Sequence, residues 1–393
     1  MWLTSSSIGR KFVMALTGIC LVLFVTFHVL MNAVALLWPA AYNEVCMMLG
    51  ANWYALAASA GLALLFIIHI IYACWLTSQN HAARGNDRYA VTSRPKQVEW
   101  ASKNMLVLGI VILAFLVVHM IQFWAKMQLV EACHMGLDKM PQLNDAPVPP
   151  AMGTLMLELA FSQWWTPVIY IIGFIALWFH MNHGFWSMFH TIGWDNNTWL
   201  PRLKAIGCWW TSIVVALFIA QAITFTVKAH DKYYTSNVEL QSQYLAYWND
   251  YAGEAVNEYL EHQAIALHPQ SAELKAANEA VKAAQEALSD AKPDADMDAL
   301  RKAFVDAQKK QSEARSNFRN AQTEYTQKHG KSIVDKADAI NNMVEKQFPE
   351  AIDLTKMQIS RGSYIGIQNV AMLMNLAAEI EQEIGSPNAQ FNY

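Results

Sequence analysis

Hydrophobic residues follow two different patterns along this chain. Up to about residue 228 they come in long blocks, and five of these, about 12–38, 52–77, 104–127, 164–189 and 206–228, carry almost no charge. A membrane-crossing helix needs roughly 20 mostly apolar residues to cover about 30 Å of hydrocarbon. Each block therefore predicts one span. Helix is the required form, because a lone strand would leave its backbone groups unpaired in lipid. A further apolar stretch, "MGTLMLELAFSQWW" at 152–165, is too short to cross. It is expected to lie along the interface as an amphipathic helix, with its tryptophans in the headgroup belt.

Beyond residue 228 the pattern becomes sparse and periodic. In "ELKAANEAVKAAQEALSDA" the residues Leu274, Ala277, Val281, Ala284, Leu288 and Ala291 recur at alternating spacings of three and four. Leu300, Phe304, Ala307, Gln311, Ala314, Phe318, Ala321 and Tyr325 repeat the rhythm. Between them, "KPDADMD" supplies a proline turn and an acidic helix start. Two heptad-patterned helices joined this way predict an antiparallel coiled-coil hairpin. Flanking helices are expected at 238–266, 331–347 and 350–384. The fold class expected is all-α: a five-helix transmembrane bundle, then a soluble helical domain.

Charge sharpens that division. Residues 1–228 hold 12 Lys+Arg and 8 Asp+Glu, whereas 229–393 hold 16 and 24. The boundary is expected at 228, with domains 1–228 and 229–393. With the N-terminus inside, the inner loops hold Arg10, Lys11, Arg84, Arg88, Arg94, Lys96, Lys103, Arg202 and Lys204, nine of the twelve basic residues in this part. The positive-inside rule then puts the N-terminus in the cytoplasm and residues 229–393 on the outer side. "SSIGRK" leads into a run too long for a signal peptide, so the first block is read as retained. Nothing in the chain reads as a nucleic-acid site.

The five cysteines, Cys20, Cys46, Cys74, Cys133 and Cys208, form no CxxC or CxxCH pattern. This argues against zinc ribbons, iron–sulfur clusters and covalently attached haem. Cys46 and Cys133 fall on the same outer side, where a disulfide is able to persist.

Each of the first four blocks carries a histidine deep inside it: His28, His69, His119 and His180. One intramembrane histidine has a bland explanation, a bond to a neighbouring carbonyl or hydroxyl, although such groups are functional candidates by default. The joint spacing says more. His28 lies 17 residues after Lys11, His119 16 after Lys103, His69 17 after Asn52 and His180 17 after Gln163. At 1.5 Å per residue each sits roughly 25 Å along its helix. Helices one and three run outward and two and four inward, so His28 and His119 share one depth and His69 and His180 another. Two imidazoles alone coordinate a bare metal poorly. A haem brings four nitrogens of its own and needs only two axial ligands.

At this point the chain resembles the dihaem cytochrome b anchors of succinate dehydrogenases and fumarate reductases, in their five-helix, single-subunit form. The stretches that carry the resemblance are "SSIGRKFVMALTG", "FHVLMN", "FIIHIIYA", "FLVVHMIQF" and "FHMNHGFWSMF", in order and one per helix, over residues 5 to about 228. The resemblance implies two non-covalent haem b groups (protohaem IX), one held by His28 and His119, the other by His69 and His180. In the fourth helix it matches H-x-x-x-G-x-[WY] at His180, Gly184 and Trp186, leaving His183 beside the site. It further implies menaquinone as substrate, and an iron–sulfur subunit and a flavoprotein subunit on the cytoplasmic face of a bacterial inner membrane. Pairing of two such complexes into a homodimer is among the arrangements it allows.

The chain itself has no dinucleotide fingerprint and no iron–sulfur cysteine set, so dicarboxylate chemistry would belong to those partners. Of the acidic residues Glu44, Glu131 and Glu158, the two nearest span ends, Glu44 and Glu158, are the quinone-site candidates. Arg10, Lys11, His81, Arg84, Lys103 and His190 are candidate propionate partners, with His183 a candidate neighbour of the inner haem. Some relatives carry a glutamate two residues before the fourth ligand; here that position is Trp178. The competing readings are the b-type anchor of a formate dehydrogenase or hydrogenase, and a non-redox transporter or scaffold.

Overall fold

The computed structural model describes residues 6–50, 52–84, 99–194, 196–293 and 295–347. Five of its helices are long and apolar enough to cross a membrane: α1 (Ser7–Leu37), α3 (Trp53–Arg84), α5 (Met105–His119), α8 (Trp165–Thr191) and α9 (Trp199–His230). Four short helices, α2 (Pro39–Met48), α4 (Trp100–Lys103), α6 (Gln128–Ala132) and α7 (Gly153–Phe161), fill the connections, and α10 (Tyr233–Ser236) follows α9. The loop Leu137–Pro147 holds a small ribbon, β1 (Gln142–Leu143) against β2 (Ala146–Pro147). Its turn residues Asn144 and Asp145 have φ of 53° and 56°, the left-handed pair that a two-residue hairpin turn requires.

Local chemistry sets the helix ends. Ser6 Oγ accepts the Gly9 amide at 2.9 Å and opens α1, and Asn196 Oδ1 accepts the Trp199 amide at 2.8 Å and opens α9. Such caps satisfy donors that the first helical turn leaves unpaired. The third span has an irregularity. Its α-helix ends at His119, and Met120–Trp124 continue as one π turn, a form that occurs mostly as single-turn bulges.

Around the bundle, α1 packs on α3, α8 and α9, while α5 packs on α8 and α3. The first four spans thus form a ring, with α9 against α1 and α8. Close approach of α5 to α8 depends on Gly173: a β-carbon there would stand 2.5 Å from Phe115 Cγ. Packing is inverted relative to a water-soluble protein. Large apolar side chains such as Phe27, Leu30, Ile67, Ile110 and Ile172 face outward, whereas Thr17, Gln122, Thr166, Thr211 and Gln221 are buried. Gln221 on α9 donates to the Val29 carbonyl of α1 at 2.8 Å, so the fifth span clamps the first beside His28.

One end of the bundle is capped. There α7 packs against α2, α9 and α10. Nearly all of α7 is buried, including Leu155, Met156, Leu157 and Glu158. This corrects the expectation of an interfacial amphipathic helix at 152–165. The segment is apolar all round, and a helix without a polar face is buried rather than laid on an interface. Glu158, its only charge, is paired internally. The disulfide considered above is also absent: all five cysteines are free, and Cys46 is turned toward Tyr42 and Gly153 while Cys133 is exposed.

Contacts divide the chain between Leu240 and Gln241. Tyr234 and Leu240 belong to the core of the first unit, which carries its boundary past the last span. The second unit is built on α11 (Val238–Ser289) and α12 (Met297–Gln347). Each is continuous, where the sequence predicts separate flanking helices at 238–266 and 331–347. Pro269 lies within α11; proline removes one helix hydrogen bond, and the helix runs through it. Leu267, Leu274, Ala314 and Phe318 form the core between the two helices. Gln263 bonds Thr326 and Gln311 bonds Asn278, so the contacts run in opposite directions along the pair. The predicted helix at 350–384 lies outside the described residues.

Candidate functional site

The four deep histidines meet as two pairs inside the ring of spans. His28 and His119 have ring centroids 5.8 Å apart, and His69 and His180 are 6.3 Å apart. Helices α1 and α5 are diagonal neighbours, as are α3 and α8, so each pair reaches across the interior. Their depths follow from side chains that bridge levels. Thr17 on α1 touches His69, and a β-carbon at Gly109 on α5 would lie 3.9 Å from His180. Eleven residues separate Thr17 from His28 and ten separate Gly109 from His119. At 1.5 Å per residue the two levels are about 15–16 Å apart.

Each ring has its own surroundings. His119 Nδ1 lies 3.1 Å from the Tyr170 hydroxyl, which donates to Gln122 Oε1 at 2.9 Å; Gln122 Nε2 in turn donates to Thr166 at 3.0 Å. The π turn after His119 holds Gln122 in this chain. His69 Nδ1 lies 3.1 Å from Thr17 Oγ1. His28 Nε2 is 3.2 Å from the Asn32 amide nitrogen, and Asn32 Oδ1 accepts from Tyr42 at 3.0 Å. His180 Nδ1 is buried with no hydrogen-bond partner.

The fit to a macrocycle between two imidazoles can be judged on these distances. With a metal–nitrogen bond of about 2 Å on each side and about 1 Å from nitrogen to ring centre, axial rings stand about 6 Å apart. Both pairs meet that spacing. Gly184, one turn after His180, has open space where a β-carbon would be, and a β-carbon at Gly18 would lie 3.8 Å from His69. His28 is the exception. A metal at its Nε2 would have to displace the Asn32 amide. Among the described residues no three His, Cys, Asp or Glu side chains gather, so a bare ion would find only two imidazoles at either level.

The other candidates fall elsewhere. Glu158 is buried, and its carboxylate accepts from the Thr235 amide at 3.1 Å and hydroxyl at 3.0 Å. Burial holds its carboxyl above the ordinary range, against the pull of those bonds and of Lys232. Glu44 is exposed. At the opposite end, the Arg10 guanidinium lies over the Trp75 ring, 5.2 Å from its centroid. Lys11, His81, Lys103 and His190 are exposed, and the side chain of Arg84 lies outside the described residues.

His183 is bonded into a rim cluster. Its Nδ1 is 3.3 Å from Glu99 Oε2, and Lys204 donates to Glu99 Oε1 at 2.8 Å while lying over Trp186. Burial pushes the Glu99 carboxyl up, but the bonds and charges of Lys204 and His183 outweigh it and hold the group below its ordinary value.

Thr17, Tyr170 and Gln122 are the participants that sequence reading did not single out. Thr17 had a signal: eleven residues is close to three full turns, which places it under His28 on one face of α1. Comparison of the chain with family models, with curated proteins and with solved structures finds no match.

Proposed function

We propose that this chain is the dihaem cytochrome b anchor of a succinate:quinone oxidoreductase, passing electrons between menaquinone and an iron–sulfur subunit across a bacterial cytoplasmic membrane. One observation carries the reading: two histidine pairs, each with axial spacing, stacked about 15–16 Å apart along one bundle. His28 and His119 would hold one haem b, and His69 and His180 the other. Bound there, protohaem IX would supply a one-electron couple.

The chain's own residues do the rest. The apolar spans keep water from the two levels, and Thr17 and Tyr170 orient the rings they touch. The opposite end from α7, with Arg10 and Lys11, is assigned to the cytoplasmic side, where the iron–sulfur and flavoprotein subunits would dock. Arg10 is the best-placed propionate partner, because it already lies at the depth of Trp75, less than two turns from His69. The capped end is assigned to the quinone. Glu158 serves there as an anchor for α10, and Glu44 remains the exposed carboxylate within reach of a quinol proton. The pair α11 and α12 is read as an antiparallel coiled-coil hairpin on the periplasmic side, serving as a docking arm.

A second reading is favoured by the bond between His28 and Asn32, which satisfies a ring nitrogen without any metal. In that case the histidines are structural and the chain is a membrane scaffold. A reduced-minus-oxidised spectrum with pyridine haemochrome quantitation separates the two. Two haem b per chain are expected; colourless protein would end the dihaem reading and leave the scaffold.

A further inference from the structure

We propose that Thr17 and Tyr170 are positioning residues that lock one ring of each histidine pair in a single tautomer, with its Nε2 left bare for coordination. Proton counting carries the inference. The single hydroxyl proton of Thr17 is directed to the helix carbonyls of Val13 and Met14, at 3.0 and 3.1 Å. Toward His69 the hydroxyl can then only accept, so the proton between them sits on His69 Nδ1. Tyr170 reaches the same result by another route. Its proton goes to Gln122 Oε1, an amide whose nitrogen is tied to Thr166, so Tyr170 accepts from His119 Nδ1.

In both rings Nε2 is therefore left with its lone pair. The locking hydroxyl comes each time from an adjacent span, α1 for His69 and α8 for His119. The other two rings differ: one has no lock, and the other is held at the nitrogen a metal would need. Among the described residues His180 Nδ1 is buried without a partner, whereas His28 Nε2 accepts from the Asn32 amide, which fixes the tautomer but occupies that nitrogen. Each level thus combines one ring preset for coordination with one that must adjust. Hydrogen bonding at the far nitrogen also increases the electron-donating strength of a ligand imidazole, which stabilises the oxidised metal.

The tautomer claim stands on the chain alone; its effect on potential rests on the dihaem reading. The first test uses the full chain in lipid bilayers, produced without haem and labelled with nitrogen-15 at histidine. Solid-state spectra are expected to show Nδ1 protonated and Nε2 unprotonated at His69 and His119. Tyr170→Phe should convert His119 alone to a mixture, and Thr17→Val should do so for His69 alone. An Nε2–H tautomer at either ring in the unsubstituted chain would overturn the lock.

The second test is potentiometry of the haem-loaded chain. Thr17→Val should raise the midpoint potential of one haem, Tyr170→Phe that of the other, and Thr17→Ser should restore the original value. Unmoved potentials, or equal shifts of both haems in each variant, would count against the lock while leaving the dihaem reading intact. If the chain takes up no haem at all, that reading fails and the nitrogen-15 spectra still decide the lock.

Discussion

The two units of this chain use polar and apolar residues in opposite ways. In the first, Leu, Ile and Phe line the outside of the spans, and Thr17, Gln122, Thr166 and Gln221 are inside. In the second, Leu274, Ala314 and Phe318 are inside, and lysines and glutamates cover α11 and α12. In lipid, hydrophobicity drives insertion but does little to choose helix partners. The rare polar atoms must find one another, and their bonds fix depth and register. In water the apolar seam does the choosing, and most charged side chains are interchangeable.

That contrast can be broken or sharpened by substitution. The largest effects are expected at the histidines. On the dihaem reading, removing His69 or His180 should abolish the same haem, and removing His28 or His119 the other, while His183→Ala keeps both. Haem stoichiometry of purified variants decides this, and loss of one shared haem by His28→Ala and His69→Ala would contradict the two levels.

Next is Phe318→Ala in the second unit. Phe318 is fully buried, and emptying such a site costs about 3–5 kcal/mol. Limited proteolysis should then cut within 241–347 while haem content stays unchanged.

Gly173→Ala should cost the first unit about 1–3 kcal/mol through overpacking against Phe115. Phe115 also lies against Tyr170 and His119, so the thermal shift should be accompanied by a changed spectrum at that level alone.

The smallest expected effect concerns Glu158. Its carboxyl is held above the ordinary value in the folded protein, so its contribution to stability is full below the ordinary carboxylate range. It is lost as pH rises through the raised value. Hydrogen exchange at the Thr235 amide should quicken over that window, and Glu158→Gln should flatten the dependence.

These differences also explain what the sequence made legible. The five spans were visible as blocks, because twenty apolar residues with almost no charge admit few alternatives. The histidines stood out for the same reason, as costly exceptions in such blocks. Thr17 and Tyr170 did not. Threonine and tyrosine are common in spans, and what they bond depends on how two helices register, which one chain's pattern does not state. The burial of α7 is not legible in its own residues, because it depends on α2, α9 and α10, which receive it.

The π turn at Met120–Trp124 has a consequence for chain length. A wide turn accommodates one residue more than an α turn, so deleting one residue there would let the span continue as a regular helix. Residues beyond the turn would then keep their facing, whereas a deletion in a regular stretch of the span would rotate them by about 100°, one residue's share of a turn. His119 would keep its place and Gln122 would swing off Tyr170. A one-residue deletion is thus absorbed at this turn, as it would be in the loop between α11 and α12, while elsewhere in the span it is a change of phase.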